Sequence, residues 1–206
     1  QLDYGAMIEK MVNSIVSIFT DEKIDGAIIY GDTNSTLAGC LACKKFDIPI
    51  FHIEAGLRSF NRKMHEENNR IISDHLSSLL FCPSKNAMNN LTKEGLRERA
   101  VFSGDVMYDS FLMFNSRIGI RKKKLENMDF VLATIHRREN IHSKSVIYDI
   151  FKNLDKINEK VNVVMPLHPH TKKRLKEFKI KTKISFIDPL GYLDMLSFLH
   201  SSKMVI

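Results

Sequence analysis

The feature that most restricts the fold of this chain is a regular alternation between short apolar runs and longer segments with helical periodicity. Short runs rich in Ile, Val, Leu and Phe are typical of strands buried in a parallel sheet. The longer segments repeat apolar residues at helical spacing, as Met7, Met11, Ile15 and Ile18 do. Strands that alternate with helices predict an α/β fold with parallel sheets, right-handed crossovers and helices on both faces.

The alternation is interrupted once, between residues 107 and 127, where a basic run at 121–124 has no apolar partner. We therefore predict two α/β domains, residues 1–115 and 129–206, joined by a linker at 116–128, with a cleft between the domains. The predicted strands cover residues 27–30, 48–53, 79–82, 100–103, 130–135, 161–165, 184–187 and 204 onward. The predicted helices cover residues 3–20, from the turn at 32–33 to 45, 66–78, 84–93, 108–114, 143–157, 171–178 and 192–201.

The sequence lacks an initiating methionine and stops within a predicted strand. A central strand needs neighbours on both sides, so we expect this chain to be part of a longer protein, with the first domain incomplete at its start and the second incomplete at its end.

Residues 52–75 contain the most concentrated group of ionisable side chains. Such crowding is costly unless the side chains face a polar cleft, so this segment is the predicted active site. A helix is expected to begin at about Glu66, with Glu66 and Arg70 four residues apart on one face. A second, apolar face is predicted from Ile72, Leu76, Leu79 and Leu80. The ionisable residues in the first part of the segment are Glu54, Arg58, Arg62, Lys63, His65, Glu66, Glu67 and Arg70.

Polar clusters also follow four of the predicted strands. In open parallel sheets, ligands bind at the carboxyl ends of the strands, where these clusters lie. Chance placement would rarely put a polar cluster at each of four strand ends. The clusters are Asp32, then His52 with Glu54, then residues 136–139, then His168 with His170.

These residues occur within longer motifs: GDTNSTLAG at 31–39, HIEAGLRS at 52–59, EENNR at 66–70 followed by Asp74 and His75, LLFCPS at 79–84, and TIHRREN at 134–140. In this order they resemble the non-hydrolysing UDP-N-acetylglucosamine 2-epimerases, and the resemblance covers nearly the whole chain. It implies a glycosyltransferase-B-like fold, in which a nucleotide sugar binds between two Rossmann-like domains.

The resemblance also implies a reaction. Enzymes of this family are isomerases that invert C2 of the sugar by removing its proton and expelling UDP, which leaves 2-acetamidoglucal, and then adding both back. UDP-N-acetylglucosamine and UDP-N-acetylmannosamine are interconverted, and the latter serves polysaccharide biosynthesis. A close variant acts on UDP-2,3-diacetamido-2,3-dideoxyglucuronic acid. Neither a cofactor nor a metal is implied, and relatives are often homodimers.

By resemblance, four residues match the family's catalytic positions: Asp32, Glu54, Glu66 and His136. A placed carboxylate can remove the weakly acidic C2 proton, and hydrogen-bond donors and cations can stabilise the departing phosphate. His168 matches a position near UDP or near the regulatory nucleotide-sugar site. Arg137 and Arg138 follow a strand, where they can add positive charge. The predicted substrate-binding residues are Arg58, Arg70, Arg137, Arg138 and His168.

The sequence departs from the family in several places. His65 precedes the glutamate pair, where proline is common, and Asn68 replaces a hydrophobic residue. The family's N-terminal phosphate loop and its C-terminal Ser-Gly-Gly segment are absent, so the chain as given would have an incomplete nucleotide site.

Each signal has a structural alternative. Asp32 could serve only as a helix cap, and Glu66 and Glu67 would be favoured at a helix start by the dipole. A charged loop would explain the residues at 136–140. A glycosyltransferase of the same fold, or a catalytically silent nucleotide-sugar-binding domain, also remains open.

Composition limits the other classes. The net charge of +7 comes largely from runs without stacking aromatic residues, which disfavours a nucleic-acid partner and suits an anionic nucleotide sugar. Three cysteines are too few for a disulfide framework, and the pair Cys40 and Cys43 falls inside a predicted helix. No apolar run approaches the ~20 residues of a membrane span. We expect a cytoplasmic protein that does not bind membranes.

Overall fold

The computed structural model describes residues 3–115, 128–135 and 137–206, without the side chains of 138 and 139. Contacts divide the chain into two compact units, Gln1–Asp109 and Ser110–Ile206. Apart from Met128, the linker predicted at 116–128 lies outside the described residues, so the predicted domain limits stay a prediction.

The first unit contains a parallel sheet with strand order β1-β2-β3-β4. Each strand adds to the same edge of the growing sheet, as expected for successive right-handed crossovers. The elements are α1 (Tyr4–Asp21), β1 (Ala27–Tyr30), α2 (Asn34–Lys45), β2 (Ile50–Ile53), α3 (His65–Leu76), β3 (Leu79–Cys82), α4 (Lys85–Lys93), a 3-10 turn (Arg97–Arg99), β4 (Ala100–Phe102) and α5 (Val106–Asn115), which extends past the limit of the unit.

The buried core of this unit lies on one face of the sheet, because the register places Ile29, His52 and Leu80 side by side. Ile29 and Ile50 pack with Cys40 and Cys43 of α2, while Leu80 belongs to a second cluster with residues of α4. Both cysteines are buried and free, in agreement with the packing role that their position in a helix predicts. Burial of apolar side chains on that face fixes the sheet and therefore the positions of the turns at its carboxyl edge.

The second unit contains a parallel sheet with strand order β7-β6-β5-β8. After β7 the chain returns to the other side of β5, so β5 lies at a topological switch point, where open α/β sheets bind ligands. The elements are β5 (Phe130–Leu132), α6 (Arg138–His142), α7 (Lys144–Asn158), β6 (Asn162–Pro166), α8 (Pro169–Glu177), β7 (Ser185–Ile187), α9 (Tyr192–Ser201) and β8 (Met204–Val205).

The predicted α/β class with parallel sheets is confirmed. The strand predicted from residue 48 begins at Ile50, because Pro49 has no N–H and the Ile48 N–H bonds back to the Cys43 carbonyl. The strand predicted at 130–135 ends at Leu132, and α6 was not predicted. None of the helices in the described part of the chain has the length and apolar character that a membrane span requires.

The prediction of an apolar face on α3 was wrong. Leu79 and Leu80 belong to β3, Leu76 is only partly buried and Ile72 is 41% exposed. The buried face of this helix is polar instead, because it packs against the turns that follow the strands and bonds to their backbone groups. The buried residues of α3 are Glu67, Asn69, Arg70, Ser73 and Asp74.

Candidate active site

The candidate site lies in the first unit, where the turns after β1 and β2 meet α3. The two strands are parallel neighbours, with Tyr30 opposite Ile53, and the Gly31 N–H donates to the Ile53 carbonyl. The residues that follow both strands therefore emerge at one edge of the sheet. Asp32 follows β1 and Glu54 follows β2, so the sheet register brings the two carboxylates to the same place.

Arg70 of α3 joins these two carboxylates. Its Nη2 atom lies 2.6 Å from Asp32 Oδ2 and 2.9 Å from Glu54 Oε1, and its Nη1 atom donates to the Glu54 backbone carbonyl. The guanidinium is almost fully buried, whereas each carboxylate is about one-third exposed. One buried cation thus holds two acidic groups that keep an open side toward solvent.

The backbone around both carboxylates is also fixed. Glu54 has a φ of +69°, a left-handed conformation that is costly for a side chain with a Cβ, and the bond from Arg70 holds its carbonyl in place. Thr33, not Asp32, caps α2, by accepting from the Thr36 N–H. The Asp32 carboxylate is therefore not used as a helix cap.

Asn69 provides a second anchor for the Asp32 turn. Its Nδ2 atom donates to the Asp32 carbonyl at 2.9 Å and to Asn34 Oδ1 at 3.0 Å. Its Oδ1 atom accepts from the hydroxyl of Tyr4, whose ring stacks on His65. Residues of α1 and α3 therefore extend the site beyond the carboxylates.

Glu66 lies at the start of α3, one turn before Arg70, and is exposed. Among the described contacts it has neither a hydrogen bond nor an ion pair, but it is close enough to Tyr4 to act on the phenol electrostatically. Burial and the Glu66 charge raise the pKa of Tyr4, against the opposing effect of the bond to Asn69.

Glu67, the next residue, is buried and has a different role. Its Oε2 atom accepts from the N–H and the hydroxyl of Ser59 at 2.7 and 2.9 Å, and its Oε1 atom accepts from the Phe60 N–H at 3.0 Å. Burial favours the neutral acid, but these donors and the nearby Arg58 charge outweigh it and lower the pKa of Glu67. Glu67 therefore holds the loop between β2 and α3.

Arg58 was predicted to bind substrate, and the structure places it in the interior. Its side chain is 1% exposed, and its nitrogens contact Asp74 at 2.7 Å and Glu94 at 2.7 and 2.8 Å. Burial disfavours the charge, but these two carboxylates outweigh it and raise the pKa of Arg58. Its donors are committed to partners within the protein.

The second unit has its own candidate pocket, at the carboxyl ends of β5 and β6. The cavity measures about 220 Å³ and combines a histidine and a threonine with apolar walls. The His168 ring accepts from the His170 N–H at the start of α8, and the buried Thr171 hydroxyl donates to the Ile135 carbonyl. The lining residues are Thr134, Ile135, Pro166, His168, Pro189, Leu190 and Met195.

Arg58 is enclosed in the interior and His168 lines the cavity of the second unit. The other predicted site residues divide into three groups. Asp32, Glu54 and Arg70 are brought together, with Glu66 one turn away on α3. Arg137 is exposed at the start of α6, while His136 and the side chain of Arg138 lie outside the described residues.

Sequence reasoning missed Asn69 and Tyr4 and assigned no role to Glu67. The available signal was the run of polar residues from 66 to 70. Five successive polar residues cover every face of a helix, so a helix that packs on the domain must bury some of them.

The chain is similar to known proteins over nearly its whole length. The family model described as UDP-N-acetylglucosamine 2-epimerase matches residues 2–206. A Pseudomonas aeruginosa protein, UDP-2,3-diacetamido-2,3-dideoxy-D-glucuronate 2-epimerase, is 43% identical over 98% of this chain and 58% of its own length. The UDP-N-acetylglucosamine 2-epimerase of Methanocaldococcus jannaschii is 37% identical over 98% of this chain and 60% of its own length.

Solved structures give the same result. The M. jannaschii UDP-GlcNAc 2-epimerase in complex with UDP-GlcNAc and UDP has a TM-score of 0.88 at 35% identity, covering 100% of this chain and 60% of that one. The Neisseria meningitidis UDP-GlcNAc 2-epimerase bound to UDP-GlcNAc has a TM-score of 0.86 at 27% identity, covering 99% and 60%. The predicted fold, two Rossmann-like halves of glycosyltransferase-B-like type, is confirmed by these similarities.

The chain spans about 60% of the length of these relatives. The family model's match runs from residue 2 to residue 206 and so includes both sheets. The chain belongs to the UDP-N-acetylglucosamine 2-epimerase family.

Proposed function

We propose that the protein to which this chain belongs is a UDP-N-acetylglucosamine 2-epimerase of the non-hydrolysing type, an isomerase that interconverts UDP-GlcNAc and UDP-ManNAc for polysaccharide biosynthesis. The observation that carries this proposal is the pair Asp32 and Glu54, held by one buried guanidinium at a sheet edge and open to solvent on the other side. A binding module would not need two acidic groups at the place where an anionic ligand is expected.

The chemistry needs a base at C2 of the sugar and an acid that returns a proton from the opposite face. Arg70 offsets the electrostatic repulsion between the Asp32 and Glu54 side chains, which allows the two acidic groups to lie close together. Glu66 is exposed and has no such cation among its described contacts, so it can exchange protons with a ligand. These three residues are the proposed acid and base groups of the two half-reactions.

Departure of UDP needs donors and positive charge near the phosphates. We assign this task to the second unit, where TIHRREN follows β5 at the topological switch point. His136, Arg137 and Arg138 would bind the diphosphate. His168 lines a cavity whose proline, leucine and methionine walls suit a flat pyrimidine ring. The reaction needs neither a metal nor a redox cofactor, because proton removal and phosphate departure are both assigned to side chains.

The predicted substrate contacts of Arg58 and Arg70 need a different explanation. Arg58 is enclosed by Asp74 and Glu94, and Arg70 is directed at Asp32 and Glu54. We propose that both arginines organise the site and that Arg70 acts on the substrate only through the carboxylates.

A second substrate is favoured by a specific feature, the exposed basic rim of Arg62, Lys63 and His65 directly before Glu66. A uronic acid has a carboxylate that N-acetylglucosamine lacks, and these side chains could bind it. The P. aeruginosa relative, at 43% identity, is named for such a substrate, UDP-2,3-diacetamido-2,3-dideoxy-D-glucuronate. Comparison of kcat/KM for the two UDP-sugars on the full-length enzyme would separate these possibilities.

The decisive experiment is solvent exchange at C2. Full-length enzyme incubated with UDP-GlcNAc in D₂O should incorporate deuterium at C2 without any acceptor, and Asp32→Asn should lower the exchange rate by about 10²–10⁴-fold. Asp25→Asn is the matched control, since Asp25 is highly exposed and contacts only Lys23 among its described ion pairs.

Exchange that requires an acceptor would favour a glycosyltransferase, and UDP binding without exchange would favour a silent nucleotide-sugar-binding domain. Either result would refute the proposed activity, as would normal exchange in Asp32→Asn.

We also propose a cytoplasmic homodimer. The cytoplasmic location is supported by three free, buried cysteines, which suit a reducing compartment. The dimer rests on the family resemblance alone, and light scattering on the full-length protein would test it.

A further inference from the structure

A network of three buried ionisable groups, His52, Asp74 and Arg58, lies next to the candidate site and ends at the partly exposed Glu94. His52, on β2, contacts the Gly31 carbonyl through Nε2 at 2.7 Å and Asp74 Oδ1 through Nδ1 at 2.7 Å. Asp74 Oδ2 accepts from Arg58 at 2.7 Å and from the Gly56 N–H at 3.1 Å. Arg58 is in turn bound by Glu94. The side chains of His52 and Asp74 are 0% exposed, so water cannot replace the partners of these two side chains.

The bonding pattern fixes the number of protons. A carbonyl oxygen can only accept, so the His52 Nε2 atom must carry a hydrogen. Asp74 Oδ2 receives a guanidinium and an amide, which favour the ionised carboxylate. Asp74 Oδ1 then accepts from Nδ1, so that nitrogen also carries a hydrogen. His52 is thus a cation, and the positive charges of His52 and Arg58 balance the negative charges of Asp74 and Glu94.

This histidine is attached to the turn that presents Asp32. Gly31 has a φ of +62°, and its carbonyl belongs to the peptide group that leads into Asp32. The His52 ring is hydrogen-bonded to that carbonyl, and the Asn69 amide donates to the next carbonyl along the chain, that of Asp32. These two bonds fix the backbone of Asp32, and from that backbone the carboxylate reaches Arg70. Asp74 also holds the turn after Glu54, through the Gly56 N–H.

We propose that His52 is a positioning residue, kept as a buried imidazolium by Asp74, which orients the Asp32 carboxylate through the Gly31 carbonyl. The role in catalysis rests on the proposed epimerase function, whereas the charge state of the ring does not. A displacement of about 1 Å in a catalytic group can lower a rate by about 10²-fold, so loss of this bond should be seen in turnover before binding.

The charge state is tested by ¹⁵N NMR of histidine-labelled full-length protein at neutral pH. We expect both ring nitrogens of His52 to show the similar ¹⁵N shifts of a protonated imidazolium. The His52 signals are identified by their absence from the spectrum of a His52 variant. A single strongly downfield nitrogen, the mark of a bare ring nitrogen, would overturn the proposal. This measurement does not depend on activity, so it decides the charge state even if no epimerase activity is found.

The positioning role is tested by two variants that each keep one half of the ring's bonding. In His52→Gln the side-chain amide can reach the Gly31 carbonyl as Nε2 does, and in His52→Asn it can reach only Asp74 as Nδ1 does. We expect His52→Asn to lower kcat for C2 exchange by about 10²-fold with little change in KM, and His52→Gln to stay within about tenfold of the parent.

If the role of His52 were purely structural, kcat would fall in both variants together, in step with their melting temperatures. That outcome would overturn the positioning role. If wild-type protein shows no C2 exchange, the proposed function fails and the NMR result still stands. If both variants fail to fold, the His52 ring signals are assigned on the unmodified protein by through-bond correlation to its own side-chain carbons. A bare ring nitrogen in that spectrum would still overturn the proposal.

Discussion

The two adjacent glutamates of α3 provide the sharpest test of how this site is built. Glu66 is exposed and is a proposed acid or base, whereas Glu67 is 5% exposed and holds the preceding loop. The same substitution, glutamate to glutamine, should therefore give opposite results at the two positions. Glu66→Gln should remove C2 exchange and leave stability unchanged, and Glu67→Gln should lower stability.

The size of the Glu67 effect follows from its three bonds. A hydrogen bond to a charged group contributes roughly 1.5–3 kcal/mol and one between neutral groups roughly 0.5–1.5, so removing the charge weakens each bond by about 1 kcal/mol. Glutamine also replaces one oxygen with an amide that faces a donor, Ser59 or Phe60. We expect Glu67→Gln to reduce the free energy of unfolding by roughly 2–4 kcal/mol, and Glu66→Gln by less than about 0.5 kcal/mol.

The pH dependence supplies an independent check. Because the pKa of Glu67 is lowered in the folded state, its contribution is fully present above the unfolded-state value of about 4.3 and is lost as the pH falls through the lower folded-state value. Urea unfolding of both variants and the parent, from pH 8 downward, measures this. The difference between Glu67→Gln and the parent should be constant near neutrality and should shrink below about pH 4.

Equal stability of the two variants near neutral pH would refute the structural role of Glu67. A difference that grew as the pH fell would contradict the sign of its pKa shift. Full C2 exchange in Glu66→Gln would remove Glu66 from the proposed acid and base groups without affecting either conclusion about Glu67.

Other positions offer simpler tests by thermal or urea unfolding. Gly56→Ala should lower the free energy of unfolding by at least about 3 kcal/mol, because a Cβ there would lie 2.6 Å from a backbone oxygen of α4. Gly104 has a similar positive φ but nothing within 4 Å of the added Cβ, so Gly104→Ala should lower it by only about 1–2 kcal/mol. Equal losses in the two variants would contradict this. Thr171→Val should lower the free energy of unfolding by about 1–3 kcal/mol, because the Ile135 carbonyl, in the segment after β5, would lose its donor. An unchanged unfolding midpoint would show that the bond is dispensable. Cys40 and Cys82, whose pKa values burial raises to about 11, should resist iodoacetamide at pH 8 until the protein is unfolded; rapid labelling of native protein would contradict their burial.

Much of the fold could be predicted because the strands are short, apolar and separated by helical patterns. Residues 27–30 and 79–82 were placed at their observed limits by composition alone. Errors arose where backbone hydrogen bonding decides the limits, as at Pro49, which delays β2. The convergence of Asp32 and Glu54 could also be predicted, since parallel strands end at one edge of a sheet, but the cation between them could be identified only from the structure.

The part that sequence could not supply is the orientation of α3. Successive residues of a helix are separated by about 100°, so of two adjacent glutamates one can point to solvent while the next is buried. The apolar residues of α3 suggested the wrong buried face, because hydrophobic pattern identifies a core only when the helix packs on apolar surface. Here the helix packs on the turns after β1 and β2, whose unpaired carbonyls and amides require polar partners. Arg70 and Asp74 meet that requirement from one helix face. Glu66 lies on the same face, four residues before Arg70, but it is in the first turn of α3 and is exposed there. Backbone hydrogen bonding therefore explains which residues of α3 are structural, and position along the helix explains why Glu66, on the same face, stays open to solvent.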